Sequence, residues 1–600
     1  MSVGIVGTGP AVESVKAVLA DDGVSTDRIE PEGITEPDLA VVVDEVGAPA
    51  FTAANEAALA APDTEWIGIE LGGIGGHVLG DVEATVCGFG PDTGCFECLR
   101  ARVAANVEPG GRNDEDGSTA TATSDDAGTG ADESTPSDAV DSATARLAGT
   151  IGGREALRTL AGASIAGLVE LPYAERRLLA VPGCRCSGRG ERGHGNGRER
   201  FGALDREHED RGVDEAVARA ERALDPRIGV VSEIGEVVSF PVPYYLANLG
   251  DTAPFSDVRA TGQAAGVAAD WNEAFMKAIG EGLERYCAGV YRTAGLPEAT
   301  SDDLDRAIPT SRFVRPDGGD DLDNSIRWVA GEELATGSRA LLPAAFVLFP
   351  PPEERFRPAI TTGLGLGSST TEALLSGLYE AIERDATMLG WYSTFEPLGL
   401  DVHSERFETL RRRARAEDLS TTPLLVTQDV DVPVVAVAVH REGEWPGFAV
   451  GSDADLDATR AAESALAEAL QNWIELREMG PEGAGNAEGA IARYAEFPSA
   501  ARAFVDVERT IPAASVGSEE SGVEELDAVT GRLASAGLDA YGARLTTRDV
   551  ERVGFEAVRV LVPSAQPLFT DEPFFGERAH SVPESLGFEP RLDREPHPYP

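Results

Sequence analysis

The chain has 600 residues, with 103 Asp and Glu against 51 Lys and Arg, for a formal charge of -52. At ~150 residues per domain this length predicts roughly three or four units. The charge excludes an ordinary basic nucleic-acid surface and opposes binding to anionic lipid, since both need local positive potential. No run reaches the ~18 apolar residues of a membrane span, and MSVGIVGTGP lacks the charged start and long apolar stretch of a secretory signal, so the expected location is the cytoplasm.

In chain order, VGIVGTGP followed by AVESVKAVLA reads as a buried strand, a glycine turn and a helix, and LAVVVDEV and EWIGIEL read as further parallel-type strands. These predict a Rossmann-like layer at the front of the chain. Gly7 and Gly9 lack the third glycine of the dinucleotide fingerprint, which favours a tight strand-to-helix turn that binds no nucleotide. Residues 109–142 hold many acids and almost no large apolar side chains, and are expected to be a disordered insertion. Helical periodicity resumes in ATARLAGTIGGREALRTLAG. A polar, glycine-rich linker over 187–212 then precedes a main domain that starts near GVDEAVARAERALDPRIGVVSEI.

The front region holds Cys95 and Cys98 in GCFEC and Cys184 and Cys186 in GCRC. Two close thiolate pairs suit a tetrahedral Zn2+ with no open position, hence a structural one; redox-active or unliganded thiols are the alternative. Cys87 and Cys287 read as buried thiols.

The second half carries one pattern three times. KAIGEGLERY presents Glu281 and Glu284, GLYEAIERDA presents Glu380 and Glu383, and SALAEALQNW presents Glu468 and Gln471. Each i, i+3 pair lies on one face of an apolar helical pattern. Glu372, eight residues before Glu380, falls about 80° around the same helix and is expected to join them. Isolated pairs of this kind are common on solvated faces. Recurrence among apolar neighbours instead predicts a partly buried carboxylate cluster compensated by Mg2+, which takes carboxylate and phosphate oxygens together.

These three segments, with TTGLGLGSSTTEALLSGLYEAIERDA, AVRVLVPSAQPL and the terminal PHPYP, resemble the YcaO superfamily, and within it the azoline-forming cyclodehydratases that modify ribosomally made peptides. The resemblance covers residues 213–600. The front region, through GFGPDTGCFECLRAR and LLAVPGCRC, is similar to the ubiquitin-activating-enzyme-like (ThiF-like) partner domain often fused to such proteins. The implied organisation is a partner domain over 1–108 and 143–190, with zinc on Cys95, Cys98, Cys184 and Cys186, followed by the YcaO domain. The fold class is mixed α+β and α/β.

The resemblance implies ATP-dependent attack of a Cys, Ser or Thr side chain on the preceding peptide carbonyl, giving thiazoline or oxazoline, as in bacteriocin biosynthesis. By motif match, Glu281, Glu284, Glu372, Glu380 and Glu383 coordinate Mg2+ and the ATP phosphates. Arg384, Glu468, Gln471 and Arg559 complete the nucleotide pocket. The alternating Pro596, Pro598 and Pro600 form a stiff strut that aims the terminal carboxylate at the site. Pro600, Glu281 and Glu383 are thus the residues expected to carry the chemistry. Implied partners are a precursor peptide, a separate leader-recognition protein, since the peptide-clamp domain that often opens the partner region is not seen, and a dehydrogenase; the family also admits a homodimer.

Three positions depart from the family pattern. Val267 stands in place of a G-K-G-type segment, Lys277 in place of a serine and Thr362 in place of an asparagine. Lys277, an i+4 neighbour of Glu281, could return the missing phosphate charge. Two other readings stay open: thioamide or amidine formation by the same fold, and a non-catalytic scaffold that binds peptide or nucleotide. Retention of all five glutamates argues against the scaffold. Only two lysines, Lys16 and Lys277, occur. That acidic, lysine-poor composition resembles proteins of extreme halophiles, where molar salt shortens the Debye length to ~3 Å and screens self-repulsion.

Overall fold

The structure, a computed structural model, describes residues 1–61, 63–91, 93–107, 140–165, 167–172, 174–188, 204–206, 208, 211–316, 325–353, 356–485, 491–570 and 572–599. It divides into two compact units. Residues 1–197, 222–232 and 250–257 form the first, and residues 198–221, 233–249 and 258–600 form the second. The sequence suggests a single connector, whereas the chain passes between the units several times.

The first unit is built on a seven-stranded sheet, ordered in space Ser25–Arg28, Ser2–Val6, Leu39–Glu45, Trp66–Leu71, Ala84–Phe89, Leu168–Leu171 and Ala174–Arg176. The first four strands are parallel and the rest antiparallel. Both faces are covered, which is why its strands read as continuous apolar runs. Val3, Ile5, Val41 and Val43 face the helices Pro10–Asp21 and Ser142–Leu160. Their neighbours Val6, Ala40 and Val42 turn to the opposite face, toward Pro49–Ala60 and Phe96–Asn106. The helix Ser142–Leu160 starts inside the segment expected to be disordered because Asp141 caps it, accepting from Ala143 N at 2.7 Å and Thr144 N at 2.9 Å. Residues 109–139 of that expected insertion lie outside the described residues.

Among the described residues, the second unit holds three sheets. Strands Val231–Val238, Tyr244–Leu249 and Gln263–Val267 form a three-stranded sheet. A six-stranded sheet includes Leu364–Gly367 beside Glu556–Leu561, and a five-stranded sheet ends on Phe448–Ala454. The helix Trp271–Gly289 lies on the first sheet and Ala458–Ala484 on the third. The helix Thr370–Trp391 packs against strands of both larger sheets, so it is buried almost all round, as its apolar composition requires. Within the expected linker, Leu204 is buried in this unit's core, and Arg206 donates to the Leu334 carbonyl at 2.7 Å. The linker residues 189–203, 207, 209 and 210 lie outside the described residues. Among the described residues, no helix is long and apolar enough to cross a membrane.

Candidate functional site: a cleft ringed by glutamates

Each of the three patterned helices follows a strand that packs against it. The approach is close because a glycine sits where the strand meets the helix backbone: a Cβ on Gly266 would lie 2.2 Å from Ala278 N, on Gly365 2.1 Å from the Ala373 carbonyl, and on Gly451 2.5 Å from the Ala465 carbonyl. That proximity lets a backbone amide near the strand reach the first acidic residue of each pair. Ala265 N donates to Glu281 at 2.8 Å, Gly363 N to Glu380 at 2.9 Å and Ser452 N to Glu468 at 2.6 Å, across sequence separations of 16, 17 and 16 residues. The first member of each pair is therefore pinned, and the second, one helical turn on, is Glu284, Glu383 or Gln471.

All six side chains, with Glu372 and Lys277, line one cleft of about 660 Å3. Glu372 doubles as part of a helix cap: Ser369 Oγ accepts from Glu372 N at 3.3 Å, and the Glu372 carboxylate accepts from Ser368 N at 2.8 Å. Glu383, 5 % exposed, accepts from Ser452 Oγ at 2.6 Å and faces Arg384 at 3.7 Å. Glu281 pairs with Arg285. Gln471 donates to Glu475 at 2.9 Å, as does Tyr244 Oη at 3.0 Å.

The electrostatics follow from crowding acids in a recess. Burial pushes Glu281, Glu383 and Glu468 above the usual carboxylate range. Glu284 is pushed up to about 8, first by burial and then by the charges of Glu380 and Glu281. Such a cluster is costly unless cations compensate it. Among the described residues no three of the carboxylates bring their ligand atoms within 4.8 Å of one another. They ring a space instead, an arrangement suited to hard cations held jointly by protein and phosphate oxygens.

The sequence reading missed Asp453. It lines the cleft beside Ser452 on Phe448–Ala454. Burial pushes its carboxyl up to about 7 against the opposing charge of Lys277. The available signal was the adjacent polar pair Ser452 and Asp453 near the end of a strand whose preceding residues are buried and apolar. Val267 also lines the cleft, whereas Thr362 lines an adjoining cavity.

The two predicted arginines stand outside the cleft lining. Arg384 lines the adjoining cavity. Arg559 is buried and donates to the carbonyls of Thr361 at 2.7 Å and Ile360 at 2.9 Å. Burial lowers its pKa to about 10 despite the nearby charges of Glu380 and Glu284.

The C-terminal segment is anchored up to Tyr599. Trp391 Nε1 donates to the Glu595 carbonyl at 2.9 Å, Tyr494 Oη to the Pro596 carbonyl, and His597 Nε2 bonds the Phe569 carbonyl at 2.7 Å. Tyr599 is 3 % exposed, and its phenol is raised by burial, with Glu383 adding to the effect. Pro600 lies outside the described residues.

In the first unit, Cys95, Cys98, Cys184 and Cys186 bring their sulfurs within 4.8 Å of one another. Pairs are 3.8 Å (95–98), 3.6 Å (95–184) and 3.5 Å (98–186) apart. The set could hold one tetrahedral ion. Cys87 and Cys287 are buried and lie outside it.

A model of the family described as YcaO cyclodehydratase, ATP- and Mg2+-binding, matches residues 265–566, half of the chain. The chain belongs to the YcaO family. It is an ATP-dependent peptide-modifying cyclodehydratase. An uncharacterized protein of Methanothermobacter thermautotrophicus is 28 % identical over 374 residues, 59 % of this YcaO chain and 94 % of its own length. Two solved structures share the fold at 20 % identity. A heterocyclase in complex with substrate and cofactor has a TM-score of 0.71, covering 98 % of this chain and 83 % of its own. The heterocyclase TruD has a TM-score of 0.64, covering 98 % and 81 %.

Proposed function

We propose that this YcaO chain uses ATP and Mg2+ to close Cys, Ser or Thr residues of a ribosomally made peptide into thiazoline or oxazoline rings. The nucleophilic side chain adds to the preceding amide carbonyl. ATP phosphorylates the resulting oxygen, which leaves as phosphate, so each ring removes one water while ATP becomes ADP. The protein's contribution is positioning and charge stabilisation. The observation that carries the reading is the set of glutamates, three of them pinned by backbone amides in or beside the strands, facing one cleft in a chain of this family. Glu281, Glu284, Glu372, Glu380 and Glu383 would hold Mg2+, which when bound neutralises phosphate charge. Glu468, Gln471 and Lys277 line the same cleft for the nucleotide, with Arg384 and Arg559 acting from just outside it. The anchored tail supports a role for Pro600 at this site.

The first unit is read as a ThiF-like partner domain with a structural zinc. A tetrahedral Zn2+ with Zn–S bonds of ~2.3 Å sets sulfurs about 3.8 Å apart, close to the spacings of the four thiols. The acidic, lysine-poor surface suits a high-salt cytosol. A separate leader-recognition protein, a dehydrogenase and a second copy of the chain are the proposed partners.

Mass spectrometry of a candidate precursor co-expressed with the enzyme tests the reading. Loss of one water per modified residue is expected. Exchange of oxygen for sulfur would indicate thioamide formation, and an unmodified peptide would favour the scaffold.

A further inference from the structure

The adjoining cavity, about 360 Å3, shares Arg285, Thr361 and Glu380 with the glutamate cleft. The rest of its wall combines the apolar side chains of Phe349, Ile360, Leu568, Phe569 and Phe574 with polar ones, Arg384 and Glu572 among them. This volume lies at the low end of the about 300–1,000 Å3 typical of ligand pockets, room for a side chain rather than a whole cofactor.

The wall is tied to the helix that carries the carboxylates. Asp385, one residue beyond Arg384, accepts from Gln566 N at 2.7 Å and from Arg578 at 2.6 Å. The Gln566 side chain in turn donates to the Phe574 carbonyl at 3.0 Å and accepts from Gly576 N at 2.8 Å. Phe569 is held from the other side by His597 of the tail, whose ring lies 5.6 Å from its own. The apolar wall thus keeps a fixed place relative to Glu380 and Glu383.

The larger cleft, with its carboxylates and Lys277, has the chemistry and volume for a nucleoside triphosphate and its ions. The second reactant must then present a carbonyl oxygen to the terminal phosphate, at the boundary where Glu380 and Arg285 belong to both spaces. The side chain nearest that carbonyl belongs to the residue before the nucleophile. We propose that the annex is a specificity pocket that receives this residue's apolar side chain, so that the enzyme prefers an aromatic or branched aliphatic residue immediately before the one it cyclises. The inference rests on the proposed function.

The test uses the full chain with Mg2+ and a non-hydrolysable ATP analogue, and N-acetyl-(p-benzoylphenylalanyl)-cysteine amide as a photoreactive probe. Irradiation should attach it to Phe349, Phe569 or Phe574, competed by N-acetyl-Leu-Cys-amide and not by N-acetyl-Asp-Cys-amide. Attachment elsewhere, or equal competition by both peptides, would overturn the inference. With ATP, Phe349→Ala should raise the KM for N-acetyl-Leu-Cys-amide in phosphate release by about tenfold and leave the thermal shift caused by the ATP analogue unchanged. Loss of that shift would mean the annex holds adenine, and would also overturn the inference. Attachment in the annex with the expected competition, but with no phosphate release or water loss from any dipeptide, would keep the pocket and remove the azoline-forming reading.

Discussion

Glu284 is a carboxylate whose ordinary pKa of 4.5 rises to about 8, by burial and by Glu380 and Glu281. Asp453 rises from 3.8 to about 7, by burial. Folding therefore holds protons that the unfolded chain releases near its ordinary values, so these groups cost stability progressively as pH rises from about 4 to about 8. In the metal-free protein the melting temperature should fall across that window, and Glu284→Gln should flatten its upper part. Mg2+ with ATP should reduce the slope in the wild type. A wild-type and a Glu284→Gln curve of equal slope in calorimetry would contradict this account of the cleft. The carboxylates themselves were legible, because the i, i+3 pattern recurs among apolar neighbours. Asp453 was not, because an acid near a strand end is ordinary in sequence and becomes part of the site only when the sheet brings it to Lys277. The placement of Arg559 was not legible: it lies outside the cleft lining, its guanidinium held by the carbonyls of Thr361 and Ile360.

The functional element is a strand followed by a helix, used three times. Its helices were readable from periodicity. The amides that hold Glu281, Glu380 and Glu468 were not, since a bond across 16 or 17 residues depends on how strand and helix pack. The glycines make that packing possible. Gly365→Ala would place a Cβ 2.1 Å from the Ala373 carbonyl. Overpacking of this kind costs typically about 1–3 kcal/mol. The expected result is a lower urea midpoint with weakened ATP-induced stabilisation, because Gly363, just before the strand Leu364–Gly367, donates to Glu380. An unchanged midpoint would show that the close approach is dispensable. The same scale explains the tail. Prolines alone predict stiffness, but its anchoring depends on Trp391, Tyr494 and Phe569, residues tens to hundreds of positions away.

At the scale of the molecule, length predicted three or four units where the chain forms two compact ones, whereas the apolar runs that predicted a layered front region match a seven-stranded sheet with both faces covered. The assignment of residues 222–232 and 250–257 to the first unit was beyond a linear reading, because composition does not record which core a short segment joins. The four cysteines were readable as two pairs, and their convergence needed the fold. Replacing Cys95 and Cys184 together by Ser should remove about one equivalent of zinc per chain and destabilise the first unit, since structural zinc contributes directly to folding. Unchanged metal content by elemental analysis would contradict a tetrathiolate site.

The central claim is that carboxylates from three helices, ringing one cleft, hold Mg2+ and ATP. The most direct measurement is the melting temperature of the full chain in high salt with and without Mg2+ and ATP, for the wild type and for Glu281→Gln combined with Glu383→Gln. A ligand at 100 times its Kd adds about 2.7 kcal/mol. A clear rise is expected in the wild type and is lost in the double variant. A wild type that does not respond, or a double variant that responds equally, would contradict it.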